Sequence, residues 1–119
     1  MEPLADLRRV LRVSVICDAM DVVAPGTRSW LGPDVTALDP DRTLVGWAFP
    51  VRLERVHGRP EQPYVGLLAA LDALGPDDVW CVSSADEHAA ALWGELLSTR
   101  AVAAGAAGAV IDGPIRDVR

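Results

Sequence analysis

The chain has 119 residues, half of them hydrophobic, and a formal net charge of −6. This length fits one domain, so we expect residues 1–119 to form a single domain with a real core. The acidic balance argues against nucleic acid or an anionic membrane as the main partner, because the densest basic cluster is only Arg8, Arg9 and Arg12. A solvated helix face is the ordinary interpretation of that cluster.

Lysine is absent from the sequence. This excludes a Schiff-base lysine, a pyridoxal phosphate enzyme and a P-loop lysine within the chain. Carbonyl chemistry here would need a metal ion or an arginine as the electrophile.

From the residues present we expect neither a secretory signal nor a membrane-spanning segment. We therefore expect a cytoplasmic protein in which Cys17 and Cys81 are reduced, buried thiols. A zinc site is not expected, because these cysteines and the two histidines, His57 and His88, lack the usual ligand spacings.

Two helices are predicted at the start of the chain. Apolar residues at helical spacing favour a helix over residues 4–12, with Pro3 near its first position. Ser14 is the expected cap of a second helix over residues 15–23, which Pro25 would stop.

A loop and a strand region come next. Residues 26–42 are rich in Gly, Pro and Asp and predict a loop, which Trp30 and Leu31 would pin to the core. The apolar pattern over residues 43–56 predicts one or two strands, and Pro50 favours an edge position or a bulge there.

The second half of the sequence alternates helices and strands. A helix over residues 63–74 precedes a short apolar run at 79–82, which suits a strand buried on both faces. A helix over residues 90–104, either continuous or in two pieces around Gly94, precedes a buried strand at 107–111. Such alternation with short connections indicates an α/β protein with some parallel strand pairing.

The run Gly94-Glu95-Leu96-Leu97 is the first candidate site. A glycine before a helical turn permits close backbone approach, and free N–H groups at a helix start bind anions such as a carboxylate. The alternative is a glycine packed inside a continuous helix with Glu95 exposed to solvent.

Two short polar runs follow the last predicted strand. Asp112-Gly113 stands at a strand carboxyl end, where α/β folds build sites, although Asp112 is equally suited to capping a turn. Arg116 can bind a carboxylate or enolate bidentately, and Asp117 offers the hard oxygen that Mg²⁺ prefers. On its own this dipeptide is ordinarily a surface ion pair.

Taken together in this order, these runs resemble the RraA-like family, which includes regulators of ribonuclease E activity and metal-dependent 4-hydroxy-2-oxo acid aldolases. The resemblance is most specific after residue 91 and is carried by Leu92-Trp93-Gly94-Glu95-Leu96-Leu97, Gly105, Gly108, Val110-Ile111-Asp112-Gly113 and Arg116-Asp117. Weaker matches lie upstream, at Cys17-Asp18-Ala19-Met20, Val45-Gly46-Trp47-Ala48-Phe49 and Gly75-Pro76-Asp77-Asp78-Val79.

The resemblance implies a layered α/β sandwich of the swivelling-domain type with a mixed sheet, incomplete here. It also implies a divalent-metal-dependent aldolase and oxaloacetate decarboxylase acting on short 2-oxo acids through a pyruvate enolate. The backbone amides of Gly94, Glu95, Leu96 and Leu97 would hold the substrate carboxylate, and Arg116 would stabilise the enolate. Asp117 would hold Mg²⁺ or Mn²⁺ largely through water, with Glu95 as the acid/base group.

Three departures from the family pattern bear on these expectations. Ser83-Ser84-Ala85-Asp86 replaces a glycine-rich loop, and Cys17 replaces a serine. Family chains also continue beyond the position of Arg119, completing the sheet and lending a carboxylate to the neighbouring subunit. The resemblance implies a homo-oligomer, a trimer or hexamer. A non-catalytic regulator that binds an RNA-processing enzyme or another protein is the alternative, and a truncated assembly subunit is a third hypothesis.

Overall fold

The computed structural model describes residues 3–28, 30–84 and 90–118. By internal contacts the chain divides into two compact units, Met1–Val45 and Gly46–Arg119. None of the helices in the described ranges is long and apolar enough to cross a membrane.

The first unit contains two helices, α1 (Pro3–Val10) and α2 (Val13–Val23). Arg8 of α1 donates two hydrogen bonds, of 3.0 and 2.9 Å, to the carbonyl oxygen of Val45. The expectation of a wholly solvated arginine face is therefore wrong for Arg8, whereas Arg9 and Arg12 are exposed.

Two local expectations for this unit are wrong. Ser14 does not cap α2, because the helix begins at Val13 and the carbonyl of Arg12 already accepts its first bond, from the amide of Ile16 at 3.0 Å. Trp30 does not pin its loop within the unit's core, since it is 57% exposed. Its ring lies instead under the guanidinium of Arg28, which is 5.8 Å from the ring centroid.

The second unit is built on a three-stranded sheet of order β1-β2-β3, whose described strands pair only in parallel. In chain order the elements are β1 (Trp47–Arg52), α3 (Val65–Asp72), β2 (Asp78–Ser83), α4 (Glu95–Ala103) and β3 (Gly108–Asp112). The predicted α/β class and parallel pairing are confirmed, and Pro50 does lie in a strand at the edge of this sheet.

The core of this unit centres on the middle strand, as its continuous apolar run predicts. Trp80 is fully buried, and its ring stacks on Phe49 at 5.8 Å and lies tilted against Trp93 at 5.8 Å. The remaining buried residues of the cluster are Leu71, Leu74, Val82, Leu92 and Ala101. Leu71 of α3 and Ala101 of α4 belong to this cluster, so both helices pack into the core.

Candidate functional site

The start of α4 is set by a switch in backbone conformation at Gly94. Gly94 is extended, with φ −171° and ψ −169°, and the helix begins at the next residue. Of the predicted helix over residues 90–104, only the part after Gly94 is helical, and Trp93 instead forms a parallel β-bridge with Ile115. Of the two alternatives, a continuous helix and a break at Gly94, the structure shows the break, and the piece before it is not a helix.

This bridge brings the end of the chain to the start of α4. The amide of Leu92 donates to the carbonyl of Pro114 at 2.8 Å, and the amide of Arg116 donates to the carbonyl of Trp93 at 3.1 Å. These two bonds hold the Arg116-Asp117 turn beside Gly94, although the two segments are more than twenty residues apart in sequence.

Arg116 and Asp117 both point at Gly94. A Cβ atom built on Gly94 would lie 2.9 Å from Oδ2 of Asp117 and 3.2 Å from Nε of Arg116. The same carboxylate oxygen accepts a hydrogen bond of 3.2 Å from the amide of Glu95 and lies 3.5 Å from Nε of Arg116. The structure thus brings together Gly94, Arg116, Asp117 and the first amide of α4.

The two leucines of the predicted site face different ways. Leu97 packs against the hydrophobic core, whereas the side chain of Leu96 is 78% exposed. Glu95 is also exposed, on the first turn of the helix. The site role predicted for both leucines rests on their backbone amides, which the first turn leaves without intrahelical partners.

Charge favours this arrangement. The N-terminus of a helix carries partial positive charge, so it attracts the Asp117 carboxylate and would attract a ligand carboxylate equally. The Arg116–Asp117 ion pair is largely open to solvent, so it contributes little to folding and leaves the guanidinium accessible.

Ser98 supports the start of α4 and is not one of the site residues predicted from the sequence. Its hydroxyl accepts a 2.8 Å hydrogen bond from Nε1 of Trp93 and donates one of 3.0 Å to the carbonyl of Gly94. Ser98 therefore braces both residues that precede the helix. Its spacing of four from Gly94 is the sequence signal for such a bond.

A second polar group lies where β2 and β3 end. The hydroxyl of Ser83 donates to Oδ2 of Asp112 at 3.1 Å, across two parallel strands. Ser84 is buried, and its hydroxyl has no partner among the described residues. His88, Ala85 and Asp86 lie outside the described residues.

The Arg116-Asp117 turn offers one carboxylate that could bind a metal ion, that of Asp117. The described ranges contain no group of three or more His, Cys, Asp or Glu side chains placed to hold a metal ion. Mg²⁺ is commonly bound through one or two carboxylates with several waters retained. Asp117 fits that pattern as a single carboxylate ligand.

The second unit is of the α/β class, with a parallel sheet and a polar turn at the start of α4. The chain belongs to the RraA-like family, whose model, described as Aldolase/RraA, matches residues 13–119. No curated protein matches the chain.

Solved structures similar to the chain include the following two. One is RraAS2 of Streptomyces coelicolor, described as an unusual member of the RNase ES inhibitor RraA protein family, with 25% identity and a TM-score of 0.75. The other is an uncharacterized protein from Pseudomonas syringae pv. tomato str. DC3000, with 26% identity and a TM-score of 0.68. The match covers 96% of this chain in both cases but only 54% and 48% of the two relatives, so the chain spans about half their length.

Proposed function

We propose that the protein is a divalent-metal-dependent aldolase and oxaloacetate decarboxylase that acts on short 2-oxo acids through a pyruvate enolate. The observation that carries the proposal is the contact of Arg116 and Asp117 with Gly94 at the first amide of α4. This contact gathers a guanidinium, a carboxylate and a helix N-terminus around a residue with no side chain.

The start of α4 would bind the substrate. The backbone amides of Gly94, Glu95, Leu96 and Leu97 are suited to the carboxylate of the 2-oxo acid, since N–H groups at a helix start bind anions. With the helix dipole aligned behind them, these donors would hold one end of the substrate and leave its 2-oxo group towards the turn.

Arg116 would stabilise the developing enolate. Breaking the carbon–carbon bond leaves an electron pair on the pyruvate fragment, and a fixed guanidinium can accept that charge through parallel hydrogen bonds. Because the chain contains no lysine, an imine cannot serve as the electron sink within it.

Asp117 would hold Mg²⁺ or Mn²⁺, in agreement with its fit as a single carboxylate ligand. When bound, the ion would supply Lewis-acid stabilisation of the 2-oxo group. Glu95, exposed on the first turn beside this carboxylate, is suited to taking and returning a proton through water.

The test is metal-dependent release of pyruvate. Purified protein is supplied with oxaloacetate or a 4-hydroxy-2-oxo acid, and pyruvate is followed by a coupled lactate dehydrogenase reaction with Mg²⁺, with Mn²⁺ and with EDTA. Pyruvate above the metal-only background supports the proposal. Its absence from a folded, oligomeric sample contradicts it.

A non-catalytic regulator is the second candidate. It is favoured by the Streptomyces relative, which belongs to a family described as RNase ES inhibitors. It is also favoured by the Asp117 carboxylate that already covers the Glu95 amide. Inhibition of a purified ribonuclease without any pyruvate release would select this function.

The proposed assembly is a homo-oligomer, a trimer or hexamer, in the cytoplasm. Light scattering coupled to size-exclusion chromatography over a range of concentrations measures the oligomer, and a stable monomer throughout would contradict it.

A further inference from the structure

The first amide of α4 already has an anionic partner within the chain. Oδ2 of Asp117 accepts the Glu95 N–H at 3.2 Å and lies 3.5 Å from Nε of Arg116. One carboxylate oxygen therefore engages an amide and a guanidinium together, which are the two groups that the proposed function assigns to the substrate.

The position of this oxygen depends on the missing side chain of Gly94 and on the backbone conformation of Asp117. Gly94 has no side chain, and a Cβ there would lie 2.9 Å from Oδ2 of Asp117. Asp117 itself has a left-handed backbone, with φ 60°, which is sparsely populated by residues other than glycine and better tolerated by Asp than by most. Such a conformation persists where surrounding contacts favour it, and here those contacts are the Glu95 amide and Arg116.

We propose that the Asp117 carboxylate occupies the place of a ligand carboxylate, at the Glu95 amide and the Arg116 guanidinium, and thereby couples cation binding to anion binding. The inference rests on the proposed function, since it assumes that the site takes a carboxylate and a divalent cation. While Asp117 covers the Glu95 amide, a ligand carboxylate has to displace it. A side chain turned towards a cation releases the amide and the guanidinium together, so each ligand strengthens binding of the other.

Two measurements on the wild-type chain test this coupling without turnover. In ¹⁵N–¹H spectra, Mg²⁺ alone is expected to move the Glu95 amide resonance, because the amide loses its carboxylate partner. Oxalate, a mimic of the enolate, is then titrated by calorimetry with and without Mg²⁺. Its affinity is expected to rise by roughly 5–150-fold when Mg²⁺ is present, the usual range for coupled sites.

Substitutions at Asp117 separate its two proposed roles, covering the Glu95 amide and binding the metal ion. Asp117→Ala leaves the amide open, so without Mg²⁺ it is expected to bind oxalate more tightly than the wild type, with no further gain when Mg²⁺ is added. Asp117→Asn keeps a side chain that caps helices well, so it keeps the helix start folded and is expected to bind oxalate weakly in both conditions. Asp72→Ala is the matched control, because Asp72 is also paired with an arginine, Arg100 at 3.4 Å, but on the exposed surface.

The outcomes distinguish the inference from the proposed function. Equal oxalate affinity with and without Mg²⁺, or Asp117→Ala binding no tighter than the wild type, overturns the coupling even if pyruvate is released. A shifted Glu95 resonance and Mg²⁺-dependent oxalate binding without pyruvate release support the coupling and contradict the aldolase.

Discussion

Gly94 and Asp117 are in such close contact that a side chain on Gly94 would force the Asp117 carboxylate to move. A Cβ on Gly94 would lie 2.9 Å from Oδ2 of Asp117, a separation that real Cβ atoms essentially never show. Because φ at Gly94 is −171°, its backbone is open to any residue. The need for glycine at this position is therefore one of space.

Gly94→Ala is expected to lower activity by about 10²-fold, because a displacement of about 1 Å at reacting groups has that cost. The measurement is kcat/KM for pyruvate release. Gly66→Ala is the control, since nothing lies within 4 Å of a Cβ there and the position is inside α3. That control is expected to keep activity and to gain about 0.5–1 kcal/mol in free energy of unfolding. Full activity in Gly94→Ala would contradict the close contact.

Arg116→Ala is expected to reduce pyruvate release by about 10²–10³-fold, the usual cost of losing one preorganised charge-stabilising contact. The wild type is expected to melt at a higher temperature with oxalate and Mg²⁺, and Arg116→Ala is expected to lose that rise. Arg116→Lys restores little, because an ammonium cannot make the bidentate contact. Arg100→Ala, which removes an arginine from a surface pair with Asp72, is the control. A normal oxalate response in Arg116→Ala would exclude Arg116 from the site.

Ser98→Ala is expected to destabilise the protein by about 1–3 kcal/mol, because it leaves Nε1 of Trp93 without its partner. Chemical denaturation followed by circular dichroism measures this loss. Thr99→Ala is the matched control, since Thr99 makes a similar bond to the carbonyl of Glu95 but is exposed. Equal losses in the two variants would show that Ser98 does not brace the helix start.

Trp80→Ala is expected to cost about 3–5 kcal/mol, the usual range for truncating a buried aromatic residue. Trp80→Phe is expected to cost less, because it keeps the ring packed on Phe49 and removes an Nε1 that has no partner among the described residues. Trp47→Ala, at a side chain 64% exposed, is expected to change stability by no more than about 0.5 kcal/mol. Urea midpoints for the three variants provide the comparison, and similar midpoints would contradict the position of the core.

The Cys81 thiol is expected to make the free energy of unfolding fall at alkaline pH. Burial raises the pKa of its thiol above the ordinary 9.0, against a smaller lowering by a backbone hydrogen bond from Phe49. The unfolded chain therefore loses this proton at a lower pH than the folded chain. The contribution of this thiol to the free energy of unfolding is fully present below the pKa of the thiol in the unfolded chain. It is lost as the pH rises from there through the pKa of the thiol in the folded chain. Free energies of unfolding measured from pH 7 to 10.5 are expected to fall less in Cys81→Ala than in Cys17→Ala, and parallel profiles would contradict this.

Much of the fold follows from local patterns. The apolar run at 79–82 predicts a strand buried on both faces, and β2 is that strand with Trp80 fully buried. Pro50 predicts an edge strand because it lacks an amide for the sheet, and β1 lies at the edge. The cap assigned to Ser14 is wrong because α2 begins one residue earlier, at Val13, so Ser14 lies inside the first turn of the helix.

The candidate site could be predicted only in part, because its geometry depends on contacts between distant segments. Glycine before a helix and an Arg-Asp pair are visible in the sequence, but neither indicates that they meet. The bridge between Trp93 and Ile115 has no periodic signature, since it is a single pair. The bond from the Glu95 amide to Asp117 spans 22 residues, so it has no local capping motif.

That single bridge also determines which part of the molecule could be transplanted. Because the bridge between Trp93 and Ile115 aligns the two segments, it holds Arg116 beside the start of α4. Grafting the charged residues alone onto another scaffold would reproduce the composition of the site without its spacing. The shortest segment that contains the bridge and both charged residues is the continuous stretch from Leu92 to Asp117, which includes α4 and β3.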